Sequence, residues 1–117
     1  MSEADPASLD VCYLTTTGRH SGRPHEIEIW FARSEGTVYL LSGDRDRSDW
    51  VRNILVSPAV TLRIGDRKRL TKARVVRDPD EDALARRLVV EKYEARGEGD
   101  LSTWGRTSLV VAVDWVG

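Results

Sequence analysis

Apolar and polar residues alternate along much of the chain with the two-residue period of half-buried strands, and two stretches instead repeat at three- and four-residue steps. Residues 11–17 are rich in β-branched and aromatic types and stop at Gly18, which predicts a first strand. Residues 25–32 alternate strictly: Ile27, Ile29 and Phe31 share one face, Glu26 and Glu28 the other. Residues 33–36 read as a hairpin turn and 37–41 as a third strand. Residues 59–64 and 68–76 form two more strands joined at the Gly65-Asp66 turn signal, and 108–116 are the last, with Leu109, Val111, Val113 and Trp115 alternating.

The helical spacings lie between these strands. Ser48 is a good N-cap and Asp49 suits the first turn of a helix, where the dipole favours an acid. Trp50 and Ile54, with Val51 and Leu55, give that helix an apolar stripe, and Ser57-Pro58 ends it. A second helix opens at Asp78 or Pro79, turns Leu84, Leu88 and Val89 inward and runs to about residue 95. Residues 97–102 read as a loop, and residues 42–47 (SGDRDR) as irregular. Six strands strung mostly by short connections predict an antiparallel barrel with two added helices, a mainly β (α+β) domain. A parallel sheet would need a helix at every crossover.

The length, 117 residues, fits one domain, expected over residues 10–117 after a frayed start at 1–9. One core suffices at this size without metal or disulfide. The single Cys12 lies in an apolar run and reads as a small core residue, in keeping with a reducing, cytoplasmic setting. The polar first residues do not resemble a signal peptide, and no apolar run is long enough for a membrane span. A net charge of −1 gives no general attraction to nucleic acid, so any anion site must be local. Lys occurs only at 68, 72 and 92, and fifteen of the eighteen basic residues are Arg, which supplies forked binders of phosphate or carboxylate.

Two segments carry candidate chemistry. In residues 15–24 (TTTGRHSGRP) glycines let backbone amides approach a ligand, while Arg19, Ser21 and Arg23 can donate to an anion; the same composition also makes a plain solvated turn. In residues 42–53 (SGDRDRSDWVRN) a polar loop feeds a helix N-terminus, and Arg45 or Arg47 completes a plausible phosphate cradle, opposed by Asp44, Asp46 and Asp49. Trp50 and Trp104 have flat faces suited to a planar ring; Trp50 also fits plain core, whereas Trp104 sits in a polar stretch. His20 and His25 lack metal-ligand spacing, so no metal is expected. No hydroxyl or thiol has the partners of a covalent hydrolase, and Glu26 with Glu28 is explained by alternation.

With both segments in view, the sequence resembles the deazaflavin (F420)-dependent nitroreductase family of the flavin split-barrel superfamily, which includes pyridoxamine-phosphate-oxidase-like proteins. The resemblance runs from about Leu14 to Val113 and rests on TTTGRHSGRP, LLSG, and Trp50, Asn53, Pro58 and Val60 in WVRNILVSPAVTL. It implies a six-stranded antiparallel split β-barrel with two short helices, and F420 as cofactor. FMN is the alternative, disfavoured because Ser48 is followed by Asp49 and Trp50 rather than by a basic pair. By resemblance Arg19, Ser21, Gly22, Ser42 and Gly43 line the cofactor, with Trp50 and Asn53 at the helix start; Arg45, Arg47 and Ser48 join them as the phosphate cradle read from the loop and helix start. Tyr93 and Trp104 then shape the acceptor pocket, Tyr93 as a proton source. The implied reaction is hydride transfer from reduced F420 to a quinone, nitroaromatic or other conjugated small-molecule acceptor. A non-catalytic cofactor-binding barrel and an FMN-dependent oxidoreductase are the rivals. A homodimer is implied by the superfamily, with Trp115 or the N-terminus at the contact.

Overall fold

The computed structural model describes residues 8–116. Among these residues seven strands, three α-helices and a 3-10 turn follow in the order β1 (Cys12–Thr17), β2 (Pro24–Ile29), β3 (Ala32–Ser34), β4 (Thr37–Ser42), the 3-10 turn (Arg45–Arg47), α1 (Asp49–Val56), β5 (Ala59–Ile64), β6 (Arg67–Val75), α2 (Pro79–Glu94), α3 (Ser102–Thr107) and β7 (Leu109–Asp114). The strands form one sheet in the order β2-β1-β5-β6-β7-β4-β3, with every pairing antiparallel. Strands β2 and β3 stand at opposite ends of that order, yet only Trp30 and Phe31 separate them in the chain. The sheet must therefore curl on itself, and the result is a mainly β split barrel.

The predicted strand over 25–32 is thus two strands, which makes seven rather than six. At the break, helix α2 supplies what the ladder gives up. Tyr93 Oη accepts a hydrogen bond from the Phe31 N–H at 2.9 Å, and Lys92 Nζ donates to the Phe31 carbonyl at 2.9 Å. Buried backbone groups need such partners, so the corner is stable only with α2 in place. The alternation survives the break: Ile27, Ile29 and Phe31 all face the barrel interior.

That interior holds Cys12, Leu14, Phe31, Leu40, Leu62, Val111 and Trp115, closed at one end by Val51 and Ile54 of α1. A second cluster lies outside the barrel wall, where Ala85, Val89 and Tyr93 of α2 pack on Tyr39, Leu41 and Val110. Strands β4 and β7 are covered on both faces and so read as continuous apolar runs. The inward face of α2 is centred on Ala85, Val89 and Tyr93, not on Leu84, and Leu55 of α1 is 56% exposed rather than part of its stripe. Asp78 caps α2 by accepting from the Glu81 N–H at 2.9 Å, with Pro79 in the first turn.

Three other expectations change. The stretch around Trp104 is helix α3, and Arg45–Arg47 form a 3-10 turn where irregular chain was predicted. Trp115 is fully buried in the barrel, so it is no surface contact for a second copy. Of the expected frayed start, residues 1–7 lie outside the described residues, while Leu9 packs against the barrel core and Arg96 pairs with Asp10 and the Ser8 carbonyl.

The corner residues carry a pH signature. Burial, aided by Arg96, lowers Lys92 from 10.5 to about 8, and burial raises Cys12 from 9.0 to about 12. The folded chain therefore releases the Lys92 proton earlier than the unfolded chain, so stability rises with pH above about 8. Above 9.0 the unfolded chain ionises Cys12 first, and above 10.0 it ionises Tyr39 and Tyr93, which burial holds near 12; both effects lower stability. Urea midpoints are expected to climb between about pH 7.5 and 9, and Lys92→Met should flatten that climb. A climb of equal size in the variant would assign it to another group.

Candidate functional site

A cleft of about 620 Å³ opens at the barrel mouth between the β1–β2 connection and helix α1. The turn contributes Gly18, Arg19, His20 and Ser21, β2 contributes Pro24, His25, Glu26 and Ile27, and α1 contributes Asp49, Trp50 and Asn53. The floor includes Thr16 of β1.

Two features of the turn shape its side of the cleft. Gly22 has φ of +71°, a left-handed conformation that glycine adopts without strain. At Gly18 a side chain would collide with its neighbours, because His25 Nε2 and Ser21 Oγ each lie 2.7 Å from where the Cβ would sit. The glycine thereby lets an imidazole and a hydroxyl converge over the backbone.

The turn is fastened to α1 by Asn53, which is only 4% exposed. Its Oδ1 accepts from the Arg19 backbone N–H at 3.1 Å and from the Arg19 guanidinium at 3.0 Å, and its Nδ2 donates to Thr16 Oγ1 at 3.1 Å. The guanidinium also reaches the Asp49 carboxylate at 3.1 Å. The expected meeting of Arg19 with the start of the helix is therefore direct. Part of its fork is already occupied, and its other N–H groups are left for a ligand.

The remaining expected residues divide. Trp50 is half-buried and presents one wall of the cleft. Ser42 is 2% exposed, its Oγ bonded to the Arg45 carbonyl at 2.8 Å and to Ser48 Oγ at 2.7 Å. Ser48 holds the N-cap position of α1 without bonding a helix amide. Arg45 turns away and donates to the Thr107 and Ser108 carbonyls at 2.9 and 3.1 Å, at the C-terminal end of α3, where a cation suits the dipole. Arg47 is exposed, and Gly43 lies beside Trp104. None of these five lines the cleft, nor does Gly22; the two segments meet there through Arg19 and Ser21 on one side and Trp50 and Asn53 on the other, without Arg45 or Arg47.

Tyr93 is 1% exposed, and its hydroxyl is engaged by Phe31 and by the Asp10 carbonyl, to which it donates at 2.7 Å. Its ring stacks on Trp30 at 4.3 Å, and Trp104 meets Trp30 edge-on at 5.7 Å. Both belong to the cluster under α2 rather than to the cleft lining. The residues that sequence reasoning passed over are His20, His25, Glu26 and Asp49, all at the cleft. Their signal was adjacency to the GRHSGRP turn, which a search for metal spacing could not register. Among the described residues no cluster of His, Cys, Asp or Glu could hold a metal, and no helix is long and apolar enough to cross a membrane.

The cleft has the volume of a cofactor site, and Trp50 gives it a flat aromatic face suited to a planar ring. Fold and cleft together define a split-barrel domain with a cofactor-sized cleft. The model of the F420H(2)-dependent quinone reductase family matches residues 5–114, and the chain belongs to that family. It is thus an F420-dependent oxidoreductase. Solved structures agree on the fold. An F420-H2 dependent reductase, FDR-A, is 24% identical with a TM-score of 0.72, over 90% of this chain and 94% of that one. A protein described as a domain-swapped dimer is 24% identical with a TM-score of 0.73, over 90% and 80%. A conserved hypothetical protein from Mycobacterium tuberculosis is 23% identical with a TM-score of 0.71, over 100% and 81%. No curated protein matches the chain significantly.

Asn53→Ala removes both ends of the tie between turn and helix and leaves Thr16 without its partner. It is expected to cost about 1–3 kcal/mol and to speed hydrogen exchange selectively in residues 18–23. Uniform destabilisation with no added exchange in that turn would show that the turn holds itself.

Proposed function

We propose that the chain, as a single split-barrel domain over residues 10–117, passes a hydride from reduced F420 to a quinone, nitroaromatic or other conjugated small-molecule acceptor in the cytoplasm. The observation that carries this reading is the meeting of Arg19, Ser21, Trp50 and Asn53 at one open cleft. Bound there in reduced form, F420 supplies the hydride. The protein's part is binding and orientation, so the lack of a dedicated base is expected. Arg19 would hold the phosphate with the N–H groups not spent on Asn53 and Asp49, and Ser21 would add its hydroxyl. Trp50 would press the ring against the cleft wall. Asn53 acts through Arg19 and is a positioning residue.

Tyr93, Trp104, Ser42, Gly43, Arg45, Arg47, Ser48 and Gly22 stay in the reading as support for the cleft rather than as its lining. Oxidation of reduced F420 by menadione should be accelerated by the protein, and Arg19→Ala should weaken F420 binding about ten- to a hundredfold. Tight binding with no acceptor accelerated, tested across quinones and nitroaromatics, would remove the proposed turnover.

The reading includes a homodimer. On the outer face of β2-β1-β5-β6, Glu28 occupies one edge while Lys68, Leu70 and Lys72 occupy the other, and Leu70 is 89% exposed. A two-fold axis along the strands would set the acidic edge of one copy over the basic edge of the next. Light scattering should give twice the chain mass, reduced to the monomer by Leu70→Asp; a monomer at every concentration would refute the pairing.

A further inference from the structure

Arg19 is not a free cation, because Asp49 and Asn53 take part of its fork. The charged groups lining the cleft are Arg19 from the turn, Glu26 from β2 and Asp49 from α1, joined by the imidazoles of His20 and His25; Trp50, Asn53 and Ser21 are uncharged. With both imidazoles neutral, one cation faces two carboxylates. With both protonated, the cations outnumber the carboxylates. An anion entering this cleft therefore meets a lining whose sign depends on histidine, the side-chain type that changes charge near neutral pH. Geometry points the same way. His25 Nε2 and Ser21 Oγ converge over Gly18, where only the missing side chain leaves them room, and His20 stands on the same turn between Arg19 and Ser21.

We propose that His20 and His25 form a proton-linked anion clamp that grips the phosphate of the cofactor's tail as imidazolium groups, so that cofactor binding takes up protons. The inference rests on the reading of the cleft as the F420 site. A pair of lysines or arginines would bind at any pH; histidines make occupancy follow it. The neutral ring still donates from one nitrogen, but the charge-assisted bond is the stronger by roughly twofold.

The test is calorimetric titration of the full chain with oxidised F420 from about pH 5.5 to about pH 8, in two buffers of different ionisation enthalpy, for the wild type and for His20→Gln/His25→Gln. Ionisation of the cofactor itself is common to both proteins and cancels in the comparison. The wild type is expected to lose about ten- to a hundredfold more affinity than the variant across that range, and to take up more protons on binding near neutrality. The charge-fixed variant His20→Lys/His25→Lys should bind at about pH 8 as tightly as at about pH 5.5 and so restores what the glutamines lose. Equal affinity profiles and equal proton uptake in wild type and glutamine variant overturn the clamp alone. Absence of F420 binding to the wild type at every pH overturns the cofactor reading and the clamp with it.

Discussion

A buried carboxamide is the central tie between the two walls of the cleft. Asn53 uses its oxygen on the turn after β1 and its nitrogen on the last interior residue of β1, across sequence separations of 34 and 37 residues. An amide suits this position because it offers acceptor and donor at opposite ends, whereas a carboxylate would face Thr16 with an acceptor only and bury a charge. The turn is otherwise a glycine-rich connection closed by the Gly18–Arg23 and Gly22–Gly18 backbone bonds. Fastened by Asn53, it becomes one rigid side of a cleft whose other side is a helix, and rigid placement is what a cofactor-dependent enzyme asks of its protein.

The corner between β2 and β3 plays a matching part for the barrel itself. The chain passes there from one end of the sheet order to the other in two residues, and Lys92 and Tyr93 of α2 satisfy the backbone it leaves unpaired. Burying an amine and a phenol has the cost that their displaced titrations record. Tyr93, which a family resemblance places near chemistry, is here a clamp on the fold, with its hydroxyl turned to main chain rather than to the cleft.

Arginine richness has the same explanation. Arg19 joins the turn to α1, Arg45 joins the 3-10 turn to the end of α3, Arg74 forks onto Glu81, and Arg86 links α2 to α3 through Asp82 and the Gly105 carbonyl. Arg19, Arg74 and Arg86 bond from two or more nitrogens of the planar fork at once, which a lysine does poorly. The chain thus spends guanidinium groups on its own loops, and little fixed positive charge is left over at the cleft. An anion site built on imidazoles is coherent with that distribution and with a net charge of −1.

Much of this was legible in the residues themselves. Alternation over 25–32 assigned Ile27, Ile29 and Phe31 to one interior across a break that it did not reveal, and Asp78 with Pro79 marked the start of α2. Those signals are local, because strand faces and helix caps are decided by neighbours one to four residues away. The turn and the α1 start were also paired in advance, Arg19 and Trp50 by residue type and Asn53 through the family resemblance. What residue type alone left open was direction: Arg45 and Ser42 differ little in kind from Arg19 and Ser21, yet one pair faces α3 and its own loop while the other faces the cleft. The seventh strand, the helix around Trp104 and the burial of Tyr93 depend on contacts made with residues dozens of positions away. Only the curled sheet brings those residues within bonding distance, so only the tertiary structure could decide which polar groups were spent on the fold and which remained for a ligand.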